Sequence, residues 1–215
     1  MDSSRGLQLF LIVATALFNC ALGDFDNDSD VSDVNSDGRP LVRIRTVSEI
    51  LVEFSKLREG YKKVITFTGY SGKGYKNTTK MLTLAKKSLD PYSEKKDAVV
   101  NIGATKVGIG AVYTLAKQMG FQTTGIVSAI AGNGPFESDI TFFTKGGWGG
   151  WANDNQSCLE DASEAMIAVS DKIIAIGGGK IVAVELAEAE KRGIPVERIK
   201  GNGTEPDDED LAPGA

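Results

Sequence analysis

"VNIGATKVGIGAVYTLAKQMGFQTTGIVS", Val100 to Ser128, sets a short apolar run, a loop holding Gly103, Gly108 and Gly110, an amphipathic segment and a second β-branched run in succession. The first run has the length of a buried strand. "AVYTLAKQMG" has helical periodicity with Gly120 as its C-cap, and "QTTGIVS" reads as a second strand. A strand, a glycine loop, a helix and a strand make a βαβ unit, whose two strands must run parallel. Three glycines between strand and helix have two explanations: a turn too tight for a Cβ, or a ligand that comes close to the backbone.

Working outward, the same alternation repeats. Upstream lie the strand "KVITFTG" (Lys63 to Gly69), the loop "YSGKGYK", a helix from Asn77 to Ser88, and the strand "AVVNIG" (Ala98 to Gly103). Before them, "EILVEFSKLRE" places Ile50, Leu51, Phe54 and Leu57 on one helical face, with Ser48 as N-cap. Downstream, Ala129 to Gln156 has no clear period. "CLEDASEAMIAVS" (Cys158 to Ser170) follows as a helix, "KIIAIGG" as a strand, "VAVELAEAEKRG" as a helix and "PVERI" as a last short strand. Strands apolar on both sides and alternating with helices imply an α/β protein. The expected fold is a three-layer, Rossmann-like, doubly wound parallel sheet with right-handed crossovers.

The bulk numbers agree with that class and exclude others. The chain has 215 residues, 41% of them hydrophobic, enough for one sizeable domain and its flanks. A net charge of −5 leaves no basic footprint for nucleic acid or an anionic membrane. There is no His, which removes the usual Ser–His and Cys–His pairs and the commonest metal ligand. Cys20 and Cys158 have no CxxC spacing, so no metal site is expected, and, as a separate reading, no cofactor is expected either.

The flanks are read from composition. "LQLFLIVATALFNCALG", Leu7 to Gly23, follows Arg5, is too short to span a bilayer, and ends in the small-x-small site Ala21-Leu22-Gly23. Residues 1–23 are expected to be a signal peptide cleaved before Asp24, giving a secreted or periplasmic protein. The alternatives are an uncleaved anchor or lipid on Cys20, where Leu17 suits a lipobox but Phe18 and Asn19 fit it poorly. Membrane contact is expected only in those two cases. Residues 24–39 carry six Asp and almost nothing apolar. Asp26, Asp28, Asp30 and Asp37 have calcium-loop spacing, but Val31 stands where that loop needs Gly, so a disordered acidic linker is expected. Residues 40–202 form the domain and 203–215 a disordered acidic tail. Four Asn-x-Ser/Thr sequons begin at Asn27, Asn77, Asn155 and Asn202, and matter only in a eukaryotic secretory pathway.

Three expected strands end in glycine loops that lead into helices: Gly69–Gly74, Gly103–Gly110 and Gly177–Gly179. In such folds ligands sit beyond the carboxyl ends of the strands, and helix N-termini suit phosphate. Lys73, Lys106 and Lys180 lie one in each loop. Neither GxxxxGK[ST] nor a clean GxGxxG with its acidic ribose partner is present, which disfavours a P-loop NTPase and a dinucleotide-dependent dehydrogenase. Trp148 and Trp151, in "FFTKGGWGGWANDNQS", belong either to a lid that stacks on a ligand or to a plug over the sheet edge.

The order of these motifs resembles the SLOG/Lonely Guy superfamily, once labelled "lysine decarboxylase". "VITFTGYSGKGY" is similar to its opening strand and G-S-S loop, with Gly69, Tyr70 and Ser71 in those places. "GATKVGIGAVYTLAKQMGFQTTGIVS" is similar to its GGGxxGLMG segment, with Ala104 and Thr105 where two glycines are usual. "MIAVSDKIIAIGGGKIVAVEL" is similar to its SDA…LPGGxGTxxEL segment, with Gly178, Gly179, Glu185 and Leu186 matching. The resemblance spans about Val64 to Val196. It implies a Rossmann-like fold and a nucleotide or ADP-ribose-like ligand; taken with the three glycine loops and their lysines, the expected phosphate site is Gly69, Ser71, Lys73, Gly103, Thr105, Lys106, Gly108, Gly178, Gly179 and Lys180. It leaves a homodimer open. Two departures count against the family's phosphoribohydrolase activity. Ile181 and Val182 replace the G-T, and the Arg and Lys before the fourth strand are replaced by an acidic helix. The resulting expectation is a ligand-binding module. The alternative is a nucleotide N-glycosidic-bond hydrolase with Glu185 as its acid or ribose ligand.

Overall fold

The computed structural model describes residues 41–61, 63–72, 74–93, 97–131, 136–152 and 157–201. The leader, the acidic linker, Lys73, the sequons at Asn27, Asn155 and Asn202, and the acidic tail lie outside the described residues.

Seven strands form one wholly parallel sheet: β1 (Leu41–Arg45), β2 (Lys63–Gly69), β3 (Ala98–Gly103), β4 (Gln122–Ser128), β5 (Ile140–Thr144), β8 (Lys172–Ile176) and β9 (Val196–Ile199). Their order across the sheet is β1-β5-β4-β3-β2-β8-β9. A separate antiparallel hairpin pairs β6 (Gly150–Ala152) with β7 (Ser157–Leu159). Five α-helices connect the strands: α1 (Val47–Leu57), α2 (Thr78–Ser93), α3 (Val112–Gln118), α4 (Asp161–Ala168) and α5 (Lys180–Lys191).

The period-two alternation of β2 explains the layers. Ile65 and Phe67 face one side, where they meet Val100, Ile102, Ile174 and Ile176 beneath α2 and α3. Val64 faces the other, in a core with Ile50 and Phe54 of α1 and Ala165 and Met166 of α4. Leu186 and Ala189 of α5 continue that second layer over Ile173 and Ala175. Steps from β2 to β3 and β3 to β4 carry their helices on the first face. Steps in the opposite direction carry theirs on the second, which is what a single crossover handedness demands. The fold is the expected Rossmann-like α/β arrangement.

Register within the second layer is pinned by polar side chains. Thr66, Asn101 and Thr124 stand side by side on β2, β3 and β4, all buried. Asn101 Nδ2 donates to Thr66 Oγ1 (3.2 Å), Thr124 Oγ1 donates to Asn101 Oδ1 (3.0 Å), and Ser170 Oγ lies 2.6 Å from Thr66 Oγ1. A one-residue slip would bury these groups without partners.

Several element boundaries differ from the sequence expectation. The N-cap of α1 is Thr46, in a capping box with Glu49, so Ser48 falls inside the first turn. The second helix runs on through Pro91 to Ser93, because a proline in the last turn forfeits only one helical hydrogen bond. Gly108–Ala111 form a 3₁₀ turn before α3. Cys158 and Leu159 belong to β7, so α4 starts only at Asp161. The stretch from Ala129 to Gln156, read as aperiodic, holds β5 and β6, and β1 precedes the first expected helix.

Candidate functional site

The strands that carry the three glycine loops are neighbours: β3, β2 and β8. Chain order reverses between β2 and β8, which is the topological switch point where open α/β sheets place their ligands. Tyr70 knits the loops together. Its carbonyl accepts the Ile109 N–H (2.8 Å), and its ring lies against Gly177. Tyr75 Oη donates to the Ile176 carbonyl (2.5 Å) and accepts the Tyr70 N–H (3.2 Å).

Protein atoms fill the space beside most of the expected glycines. A Cβ on Gly69 would stand 2.2 Å from Tyr75 Oη, and one on Gly103 would stand 2.9 Å from the Trp148 ring. At Gly108, with φ +66°, a Cβ would sit 1.9 Å from the Tyr70 carbonyl oxygen. Gly178, with φ +129°, faces Val182 at 2.6 Å. Gly179 is different: a Cβ there would meet nothing within 4 Å. It is also the N-cap of α5, with no side chain capping the helix.

The other expected residues are spread along the same edge. Ser71 is exposed, and its carbonyl accepts the Thr105 hydroxyl at 3.4 Å. Thr105 also donates to the Val107 carbonyl (3.2 Å), so its hydroxyl serves the loop itself. Lys106 is exposed in the β3 loop, and Lys180 is exposed at the first position of α5.

Glu185 lies one turn further along α5 and is only 4% exposed. Thr68 Oγ1 donates to its Oε2 (3.0 Å) and Ser163 Oγ to its Oε1 (2.6 Å). Ser163 in turn accepts the Gly149 N–H (2.8 Å). Burial pushes the Glu185 carboxyl above the ordinary glutamate range, and the bonds from Ser163 and Thr68 oppose that only in part. Among the described residues no Lys or Arg forms an ion pair with it.

The Trp insert folds onto this helix. Gly149 packs on Ile181, the Glu160 N–H donates to the Gly149 carbonyl (2.9 Å), and β6 lies against α5. Trp148 is half-buried and packs among Ala104, Val127, Phe136 and Phe143 over the end of β3, so of the two readings it takes that of a plug. Trp151 is 52% exposed and Ile181 48%, both at the α5 end of the sheet edge.

Sequence reasoning did not find Thr68, Tyr75 or Ser163. Thr68 and Ser163 meet Glu185 from 117 and 22 residues away, and no local spacing marks such a contact. Tyr75 stood in a quoted loop, and an aromatic directly after Gly74 was its only signal.

No protein-family model matches the chain, and no curated protein matches it. Solved structures do. The molybdenum cofactor carrier protein of Chlamydomonas reinhardtii is 23% identical over 63% of this chain and 75% of that one, with a TM-score of 0.46. A further structure of the Moco carrier protein from Chlamydomonas reinhardtii is 21% identical over 68% and 80%, with a TM-score of 0.45. The structural-genomics target TM1055 is 19% identical over 62% and 72%, with a TM-score of 0.47.

Proposed function

We propose that this chain is a binding module for a nucleotide or a nucleotide derivative such as ADP-ribose, with the ligand's phosphate seated on the N-terminus of α5. The observation that carries this is the opening of α5 at the switch point: its N-cap Gly179 makes no side-chain cap hydrogen bond, and the space beside the Gly179 Cα is open. A helix N-terminus presents free donors and about half a positive charge, and Lys180 adds a full one beside it. Exposed Trp151 and Ile181 supply apolar surface for a base or sugar at the same end. Glu185 supports binding rather than hydrolysis. Both of its oxygens already accept protein hydrogen bonds, and its burial keeps it from a sugar bond.

Thermal and chemical unfolding with nucleoside mono- and diphosphates and ADP-ribose tests the reading. A ligand at 100 times its Kd stabilises the wild type by about 2.7 kcal/mol. Lys180→Ala removes an exposed side chain, leaves the fold intact, and weakens binding roughly tenfold to a hundredfold, the size of a charge-assisted hydrogen bond. Equal affinity in wild type and variant overturns this placement of the phosphate. Release of free base from nucleoside monophosphates, lost in Glu185→Gln, would overturn the binding-only reading.

A further inference from the structure

We propose that Asn77 is an N-glycosylation site and that the chain reaches a eukaryotic secretory pathway to receive the glycan. Nine asparagines occur in the chain, and Ser and Thr make up 29 of its 215 residues. At that frequency roughly one asparagine would have Ser or Thr two positions on, yet four do, each without an intervening proline. These sequons follow an apolar leader ending in a small-x-small site.

Asn77 is the sequon asparagine among the described residues, and its setting tolerates a sugar. Asn77, Thr78 and Thr79 are all exposed at the start of α2. Asn77 Oδ1 accepts the Lys80 N–H at 2.8 Å, so the oxygen caps the helix. The capping atom and the acceptor atom are different: Oδ1 holds the backbone, and Nδ2 is left for the glycan. In the transfer, Nδ2 forms a bond to the anomeric carbon of a lipid-linked oligosaccharide while that carbon's bond to the lipid pyrophosphate breaks. The amide loses one proton, the lipid pyrophosphate departs, and nothing is oxidised or reduced.

The test is secretion of the full chain, with its own N-terminus, from a eukaryotic host. Amidase release in heavy-oxygen water should convert Asn77 to labelled Asp in its tryptic peptide. Asn77→Asp keeps a capping oxygen and Thr79→Ala keeps Asn77 itself, so both fold. Each should remove one step from the glycan ladder on a gel, whereas Thr79→Ser should keep it. An unmodified Asn77 in secreted protein, or a chain retained in the cytosol without glycan, overturns the proposal.

Discussion

Glu185 is an acid held in the dry layer between sheet and helix, and its titration has a definite sign. Because burial raises its folded-state pKa above the unfolded value, the unfolded chain releases this proton first as pH rises. Its own contribution to stability is therefore fullest below the ordinary glutamate pKa. It falls as pH climbs from that value to the raised one, then levels off. Asp139 behaves in the opposite sense. Burial pulls it upward, but hydrogen bonds from Lys117 and Thr123 outweigh that and hold it below its ordinary range, so its contribution is lost as pH falls. Glu185→Gln isolates the first effect: wild type minus variant, measured by urea unfolding across a pH series, should decline with rising pH. A flat difference would show that the carboxyl titrates at its ordinary value in the fold. Ser163→Ala removes the partner of both Glu185 Oε1 and the Gly149 N–H, and should cost about 1–3 kcal/mol in the same assay. The glycine motif around this carboxyl was legible in the sequence. The hydroxyls that hold it were not, because they come from β2 and α4 and meet only when the sheet closes.

At the level of elements, the sequence is clearest where a segment has a periodic face. Strands β2, β3 and β4 coincide with "KVITFTG", "AVVNIG" and "QTTGIVS", whose apolar runs are bounded by glycine or polar residues. β5 was not legible. "ITFFT" is only five residues long, is set in a Gly-rich stretch without a clear period, and becomes a strand because β4 and β1 pair with it on both sides. The loop glycines illustrate a second limit. Gly103 is marked as glycine by its letter alone, and the letter does not say what lies opposite. In the structure that neighbour is the Trp148 ring, at 2.9 Å from an added Cβ. Gly103→Ala should therefore destabilise by about 1–3 kcal/mol through overpacking. Much of that cost should vanish when Trp148 is Leu, giving a favourable coupling in a double-mutant cycle. An unchanged cost in the Trp148→Leu background would mean the β3 loop itself demands glycine, independently of the insert.

For the whole molecule, topology sets where stability resides. β2, β3, β4 and β8 are each paired on both sides and covered on both faces, whereas β1 and β9 have one neighbour each and the β6–β7 hairpin pairs over three residues. The doubly wound class was readable from the alternation of segments. The strand order was not, because nothing local tells β8 to return beside β2 and β1 to lie outside β5. Hydrogen exchange should report that order. Amides of Ile65–Thr68, Val99–Ile102 and Ile173–Ala175 should exchange slowest, near the rate of global unfolding, since breaking their ladders opens both cores at once. Amides of β9 and the hairpin should exchange first. Two ion pairs on β9 compete with this gradient: Lys172 Nζ to Glu197 Oε2 (2.5 Å), and Arg198, whose two amino groups both donate to the Glu190 carboxylate. Both are partly exposed, and such pairs contribute about 0–1 kcal/mol, too little to lift a one-sided strand to the protection of a two-sided one. If β9 exchanges as slowly as β2 and β3, ion pairs rather than ladder position set the local stability of this sheet.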